Sequence, residues 1–267
     1  MAVDYDLVIL GGSIEGRMAA IAAVGYGARV ALIEPPGLFE QRQQKRYLLQ
    51  ALQQLGEGQQ RQGAVRRFLR RFQSGAGALI GDDNANWDWQ AVLEWSAIAA
   101  QTQNLKLSPE AMNISGVDVI LEMPEQLSRQ LVVTTATRRL KTRGILAAFG
   151  TVPLPIFEND VTSPSPTGIE PLLTASALPQ EMTIWGDSGE AVMWADALCL
   201  MGVRVRLVSD GFLRFEDKDV RGWVRAQLTT IGVKLVSSFD VLESDRPVPA
   251  KNSLLLGQGR PALALPK

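Results

Sequence analysis

Small residues follow the first apolar run of the sequence at a spacing that suits the binding of a diphosphate. The run 7–10 is followed by Gly11, Gly12 and Ser13, and then by Gly16. In such a turn the first glycine permits a tight bend, and the last small residue permits close packing of helix on strand. The middle position brings the backbone near a pyrophosphate, beside the N-terminus of a helix. Ser13 holds that position, and its hydroxyl can itself donate to phosphate, so we predict a weakened but usable site.

A second turn of the same kind lies further along the chain. Gly186, Ser188 and Ala191 stand in the positions of Gly11, Ser13 and Gly16, and the match continues without a gap. The further pairs are Met18 with Met193, Gly27 with Gly202, and Arg29 with Arg204. A register kept over such a length indicates an internal repeat. The alternative interpretation is that both turns persist because the backbone requires them, without any ligand.

An acidic residue distinguishes the first repeat from the second. Glu34 ends the second apolar run of its repeat, where a carboxylate accepts hydrogen bonds from a ribose diol. The matching residue of the second repeat is Ser209, which holds a diol less firmly. Arg214 follows a little further on and can meet a 2′-phosphate, which favours NADP slightly over NAD at the second site.

Each repeat, 6–34 and 182–209, has the pattern of a strand, a glycine turn, a helix and a strand. Apolar runs such as 7–10 and 30–33 are typical of parallel strands covered on both faces. Alanines between them favour a helix that lies close to the sheet. The sequence therefore predicts an α/β fold with two nested Rossmann-like units and parallel sheets, the second unit inserted into a truncated first.

Composition excludes several kinds of chemistry for this chain. Among its 267 residues there is no histidine and one cysteine, and the net charge is −1. Imidazole catalysis, histidine ligation of metals and an internal disulfide are therefore ruled out within it. We expect Cys199 to be a packing residue. Acidic residues in predicted loops are expected to be solvated, and no metal site is assigned to Asp82, Asp83, Asp217 or Asp219.

Four segments of the chain resemble the pyridine nucleotide–disulfide oxidoreductases, the family of glutathione, lipoamide and mercuric reductases. Residues 4–12 are similar to the family's opening, and Glu34 stands where its flavin-ribose acid stands. Residues 144–153 resemble the Ala-Thr-Gly strand that leads into the inserted domain, with Phe149 in place of Thr and Gly150 as the glycine. The other two segments resemble the start of the nicotinamide domain and its exit, and they are 178–205 and 257–261. The resemblance implies a site for FAD, with Gly150 as one of the cofactor-binding residues, followed by a site for NAD(P).

The same resemblance implies a redox-active disulfide on the helix soon after Glu34, but residues 37–49 contain no cysteine. Dithiol–disulfide exchange needs a thiolate and a second sulfur, so it is excluded for this polypeptide acting alone. The family's interface domain, with its His–Glu pair, and the Gly-Asp that holds the flavin ribityl chain lie beyond Lys267 in family order. The resemblance therefore implies that about half of the flavin contacts usual in the family are missing here.

Domain boundaries are expected at two crossings. We predict an FAD-like domain over 1–155 with a return segment 252–267, and an inserted NAD(P)-like domain over 156–251. Five prolines between 153 and 171 mark the first crossing. Residues 75–89 are expected to form a loop before the next helix. We expect Trp87, Trp89 and Trp95 to be core or lid residues, with flavin stacking as the alternative.

The segment 64–72 predicts an amphipathic helix with four arginines on one face. It is interpreted either as a docking helix for an acidic protein, a membrane surface or RNA, or as a solvated face covering the place of the missing redox helix. Basic and aromatic residues do not alternate as a nucleic-acid site would require, so no nucleic-acid partner is expected. The acidic N-terminus and the short apolar stretches predict a cytoplasmic chain without a transmembrane segment.

Two functional hypotheses follow. In the first, the chain binds FAD, NAD(P) or both and supports oxidoreductase chemistry without a disulfide. In the second, it is a non-catalytic relative that serves as a structural or regulatory subunit, with the helix 64–72 as its contact.

Overall fold

The computed structural model describes residues 3–72, 88–102, 104–153, 168–237, 252–256 and 259–261, and the side chains of most of these. Contacts divide the chain into two compact units. Unit 1 comprises 1–44, 97–152 and 260–267, and unit 2 comprises 45–96 and 153–259. The division at 152/153 lies near the proline-rich crossing 153–171. Residues 45–96 and 252–259 fall in unit 2, whereas the sequence-based boundaries assign them to the first domain.

Thirteen strands and seven α-helices are formed by the described residues. The strands are β1 (Leu7–Leu10), β2 (Val30–Ile33), β3 (Val117–Ile120), β4 (Gln126–Ser128), β5 (Val132–Thr134), β6 (Arg139–Lys141), β7 (Ile145–Ala147), β8 (Thr151–Pro153), β9 (Glu181–Trp185), β10 (Arg204–Val208), β11 (Lys234–Val236), β12 (Ser253–Leu255) and β13 (Gly259–Pro261). The α-helices are α1 (Ile14–Gly25), α2 (Leu38–Phe72), α3 (Trp89–Thr102), α4 (Pro109–Ile114), α5 (Glu170–Leu173), α6 (Gly189–Leu200) and α7 (Lys218–Ile231), and Leu105–Leu107 forms a 3₁₀ turn.

Unit 1 is built on a parallel sheet with the strand order β3-β2-β1-β7. Leu7 pairs with Val30 and Val8 with Ile145, so β1 lies between the strand that follows it and the last strand of the sheet. Apart from the partly exposed Leu7, the residues of β1 and β2 are buried on both faces, as their continuous apolar runs predict. Helix α1 packs on one face through Ala20 and its neighbours. Its small side chains allow helix and sheet to approach closely.

Unit 2 has a parallel sheet of the same kind, with the order β11-β10-β9-β12. Helices α6 and α7 bury their apolar residues against it, with Trp194, Ala195 and Leu198 of α6 fully buried. If the four strands of each sheet are numbered in chain order, both sheets have the strand order 3-2-1-4. The predicted α/β architecture with two Rossmann-like units is therefore confirmed.

Three features were not evident in the sequence. Residues 38–72 form one continuous helix, within which the predicted helix 64–72 is the last part, and the side chains of 59–72 lie outside the description. Strands β4, β5 and β6, which follow β3 and precede β7 along the chain, form a separate antiparallel sheet. Strand β12 pairs with β9 in unit 2, whereas the expected domain boundary assigns Ser253–Leu255 to the return segment of the first domain.

Other expectations fall on individual side chains. Trp89 is buried in unit 2 and donates from Nε1 to the carbonyl of Ala175 at 3.1 Å, whereas Trp95 is half exposed. Trp87, Asp82 and Asp83 lie outside the described residues. Within the described part of the chain, no helix is long and apolar enough to cross a membrane.

Candidate functional site

The glycine turn of unit 1 is formed by a close approach of two backbone segments. Gly11 has φ +95° and follows β1, and a β-carbon there would overlap the backbone of Phe149 in the chain that follows β7. A β-carbon at Gly16 would lie 2.7 Å from the β-carbon of Ala148. β1 and β7 flank the point where the strand order reverses, and open α/β sheets bind ligands in the crevice at that point. The structure therefore places Gly11 and Gly16 where the sequence predicts a ligand, and packing alone requires both to be glycine.

Ser13 caps helix α1. Its Oγ accepts a hydrogen bond from the backbone amide of Gly16 at 3.1 Å, which satisfies one of the free donors of the first turn. The hydroxyl hydrogen can still be donated, since accepting this bond uses only a lone pair. The predicted phosphate contact of Ser13 remains a prediction, and capping is the role that its geometry shows.

Glu34 lies against the turn and is buried by the protein itself. Only 1% of the residue is exposed, and its carboxylate covers Gly12, where a β-carbon would overlap Oε2. Oε1 accepts from the guanidinium of Arg17, whereas Oε2 is buried with no hydrogen-bond partner among the described residues. The structure thus brings Glu34 to the glycine turn, as predicted, with one acceptor atom used and one free.

Arg17 is the functional residue that sequence reasoning missed. It is fully buried in the first turn of α1 and donates to Glu34, to the carbonyl of Gly12 at 3.4 Å and to the carbonyl of Leu107. Its guanidinium also stacks 3.8 Å from the ring centroid of Phe39. Burial lowers the pKa of Arg17 to about 10, which leaves the side chain charged at neutral pH. The available signal was the single basic residue of a helix that is otherwise rich in alanine and apolar residues.

The far side of the same crevice carries a second arginine. Gly150, which the sequence predicts as a cofactor contact, has φ +67°. A β-carbon at Gly150 would lie 3.2 Å from Nη2 of Arg42. Arg42 belongs to the first turns of α2 and donates to the carbonyl of Phe149 at 2.5 Å. Arg42 lies in the segment 37–49, where the resemblance places redox cysteines. In this chain that segment carries a cation held by a hydrogen bond to Phe149.

The turn of unit 2 repeats the backbone geometry of unit 1. A β-carbon at Gly186, which has φ +156°, would overlap the carbonyl of Leu256 in the chain that follows β12. Ser188 caps α6 by accepting from the amide of Ala191 at 3.3 Å. Ala191 is fully buried, so its β-carbon is accommodated where unit 1 requires glycine.

The side chains around this second turn differ from those in unit 1. Ser209 has its hydroxyl buried with no partner among the described residues. Arg214, whose contact with a 2′-phosphate stays a prediction, forms an ion pair with Asp187 at 3.4 Å and stacks on Phe215. Its side chain is 58% exposed, against 12% for that of Asp187. The cation on which the NADP preference depends therefore already has an acidic partner on the turn itself.

Acidic residues occupy the first turn of both helices that begin at the glycine turns. These are Glu15 in α1 and Glu190 in α6, and Glu190 forms an ion pair with Lys45. A carboxylate there interacts favourably with the helix dipole, as a phosphate would, and competes with it. Both helix termini thus carry part of the negative charge that a diphosphate would supply.

Two further predicted residues have structural roles. Cys199 is half-buried in α6, where its Sγ donates to the carbonyl of Ile231 at 3.2 Å, and burial together with Asp196 raises the pKa of its thiol. Asp217 caps α7 by accepting from the amide of Asp219 at 2.8 Å. Among the residues that the structure describes, no three Cys, Asp or Glu side chains group as a metal site would require.

Known proteins resemble this chain in sequence and in fold. No protein-family model matches the chain. Dihydrolipoyl dehydrogenase of Bacillus subtilis (strain 168) is 25% identical over 252 residues, which cover 91% of this chain and 52% of that protein. The HOCl-induced flavoprotein disulfide reductase RclA from Escherichia coli superposes with a TM-score of 0.70 at 18% identity, covering 97% of this chain and 58% of that one. The Cu(II) complex of RclA gives a TM-score of 0.68 at 18% identity, with coverages of 97% and 57%.

The chain thus spans a little over half the length of the proteins it matches, and the match runs through both units. The solved structures support the fold, and the curated relative supports the kinship that the sequence motifs indicate. The chain is therefore a relative, in sequence and in fold, of the pyridine nucleotide–disulfide oxidoreductase family.

Proposed function

We propose that the chain binds a dinucleotide of the FAD or NAD(P) type at the glycine turn of unit 1 and supports oxidoreductase chemistry without a dithiol. The observation that carries this proposal is the partnerless Oε2 of Glu34, buried directly against Gly12. A buried acceptor without a donor is costly, by about 1–3 kcal/mol and more for a charged group. A ribose hydroxyl would supply the missing donor.

The residues present fit such a ligand at three points. Gly11 forms the tight turn at the reversal of strand order, the position where such sheets bind a diphosphate. Ser13 has a hydroxyl hydrogen available, and Glu34 has a free acceptor oxygen. When bound, a flavin or nicotinamide supplies hydride and electron transfer itself, and the protein supplies binding and orientation.

Arg17 determines how Glu34 performs this role. The guanidinium of Arg17 donates a charge-assisted hydrogen bond to Oε1 of Glu34. It also fixes the orientation of the carboxylate, so that Oε2 faces Gly12. A ribose would therefore be held through one hydroxyl on Glu34, with the second hydroxyl directed elsewhere.

The names of the relatives indicate a dithiol or disulfide substrate for those proteins. This chain has one cysteine, Cys199, which lies on α6 of unit 2 rather than at the glycine turn of unit 1. We propose that electrons pass to a quinone, to oxygen or to an electron-transfer partner instead.

A second candidate function is favoured by the two ion pairs at the turns. Arg17 already uses one oxygen of Glu34, and Asp187 already holds Arg214. A non-catalytic relative that keeps the scaffold as a structural or regulatory subunit would show the same pairs, with the basic part of α2 as its contact.

The spectrum of the purified protein and calorimetry distinguish the two candidates. If the proposal is right, the protein carries flavin absorbance or binds ADP, the part of a dinucleotide that Glu34 would contact. Glu34→Gln keeps the shape of the side chain but removes its charge, and we expect ADP affinity to fall by about 1–3 kcal/mol. Glu125→Gln, an exposed residue of unit 1, is the matched control. A colourless protein that binds neither ADP nor NADPH would leave the scaffold function.

A further inference from the structure

Arg42 is a partly buried cation at the glycine turn whose only described contact is to a neutral group. Its Nη2 donates to the carbonyl of Phe149, and no carboxylate among the described residues forms an ion pair with it. A guanidinium has five N–H donors, and in the described part of the chain one hydrogen bond of Arg42 is seen. Burial is the sole cause that lowers the pKa of Arg42 below its usual value, because no acidic side chain opposes the effect.

Arg42 and Gly11 meet the same residue from two sides. The backbone of Phe149 contacts Gly11, and the carbonyl of Phe149 accepts from Arg42. Gly150 leaves space beside the guanidinium, since its φ is positive and a side chain there would press on Nη2. The cation is therefore fixed at the crevice of unit 1, next to the turn from which α1 begins.

We infer that Arg42 is a binding residue for the phosphate groups of the ligand in unit 1. A charge that is partly removed from water without a counter-ion is unfavourable, and an anion in the crevice would relieve it. Phosphate matches the planar fork of a guanidinium and also suits the amides of a helix N-terminus. One of those amides, that of Gly16, is already used by Ser13, so Arg42 supplies the donors that the turn lacks. The inference rests on the proposed function, because it names the group that receives the diphosphate of the proposed ligand.

Calorimetric titration of the full chain with ADP, adenosine and inorganic pyrophosphate tests this role. In Arg42→Gln we expect ADP and pyrophosphate to bind about 10- to 100-fold more weakly, as befits the loss of charge-assisted hydrogen bonds. Adenosine should bind as it does to the wild type. Arg42→Lys keeps the charge without the fork and should lie between the two. Arg46→Gln removes the same charge from an exposed position on the same helix and should change little.

Thermal denaturation identifies a variant that fails to fold, and Arg42→Lys then carries the comparison. If the ratio of ADP to adenosine affinity is the same in Arg42→Gln and the wild type, the inference about Arg42 is overturned while the dinucleotide site stands. If pyrophosphate binds through Arg42 but adenosine does not bind at all, the phosphate site stands and the dinucleotide function falls. Failure of all three probes to bind the wild type overturns both.

Discussion

The glycine turns of the two units share a backbone and differ in their charges. In both units the glycine after the first strand touches the chain that follows the fourth strand, and a serine caps the helix. In unit 1 a buried arginine holds the acid at the end of the second strand. In unit 2 the matching residues are Val192 and Ser209, and the acid is on the turn, paired with a largely exposed Arg214.

This difference shows what a glycine fingerprint reports. Contacts with Phe149 and Leu256 exclude a side chain at Gly11 and Gly186 whether or not a ligand binds. The fingerprint therefore establishes the fold of both units equally. The arrangement of charge around the turn distinguishes them. It favours unit 1 as the proposed ligand site because, among the residues that the structure describes, only Glu34 has a buried carboxylate oxygen without a donor.

The largest expected effect is the removal of the buried ion pair. Arg17→Met leaves Glu34 buried without its partner, and we expect the free energy of unfolding to fall by about 3–5 kcal/mol. Arg214→Met removes the more exposed pair of unit 2 and should cost less than about 1 kcal/mol. Urea denaturation followed by circular dichroism measures both. Arg17→Met combined with Glu34→Leu should recover much of the loss, and equal effects of the two single substitutions would contradict the comparison.

The next largest effect on stability is expected from the last small residue of each turn, Gly16 in unit 1 and Ala191 in unit 2. Gly16→Ala would press on the β-carbon of Ala148, and overpacking of this kind costs about 1–3 kcal/mol. In unit 2 the reverse substitution, Ala191→Gly, should cost about 0.5–1 kcal/mol because glycine weakens a helix. Thermal denaturation compares the two. Ala148→Gly in the Gly16→Ala background should restore part of the stability, and a Gly16→Ala protein as stable as the wild type would mean that this contact relaxes freely.

The serine caps are expected to be equivalent in stability and different in binding. Ser13→Ala and Ser188→Ala should each destabilise the protein by about 1 kcal/mol through loss of the cap. If Ser13 also donates to phosphate, only Ser13→Ala should lower ADP affinity in calorimetry. Loss of ADP affinity in Ser188→Ala, with none in Ser13→Ala, would move the ligand site to unit 2.

The smallest expected effect is on ligand binding by Arg214 in unit 2. Asp187→Asn should release Arg214, and we expect binding of adenosine 2′,5′-bisphosphate to strengthen by no more than about 1 kcal/mol, the usual size of a partly exposed ion pair. Asp219→Asn, in the first turn of α7, is the control. No gain in Asp187→Asn would remove the remaining support for an NADP preference.

Much of this molecule could be predicted from local patterns. The repeat of apolar run, small-residue turn and alanine-rich helix indicates two parallel α/β units, because those features depend on neighbours in sequence. The same repeat predicts that Glu34 lies at the glycine turn of unit 1. Because β1 and β2 are parallel neighbours in register, the residue after β2 lies beside the turn after β1. The antiparallel strands β4–β6 carried no comparable signal, being three residues each.

The residues themselves determined the excluded chemistry: without histidine or a second cysteine, no arrangement of this chain forms an imidazole catalyst or an internal disulfide. Only the tertiary structure decided the state of the candidate site. Arg17 reaches Glu34 because the turn folds α1 back beside the end of β2, and Arg42 reaches Phe149 because α2 starts beside the end of β7. Such pairings join residues far apart in sequence, and their energies depend on burial, which is a property of the packed chain.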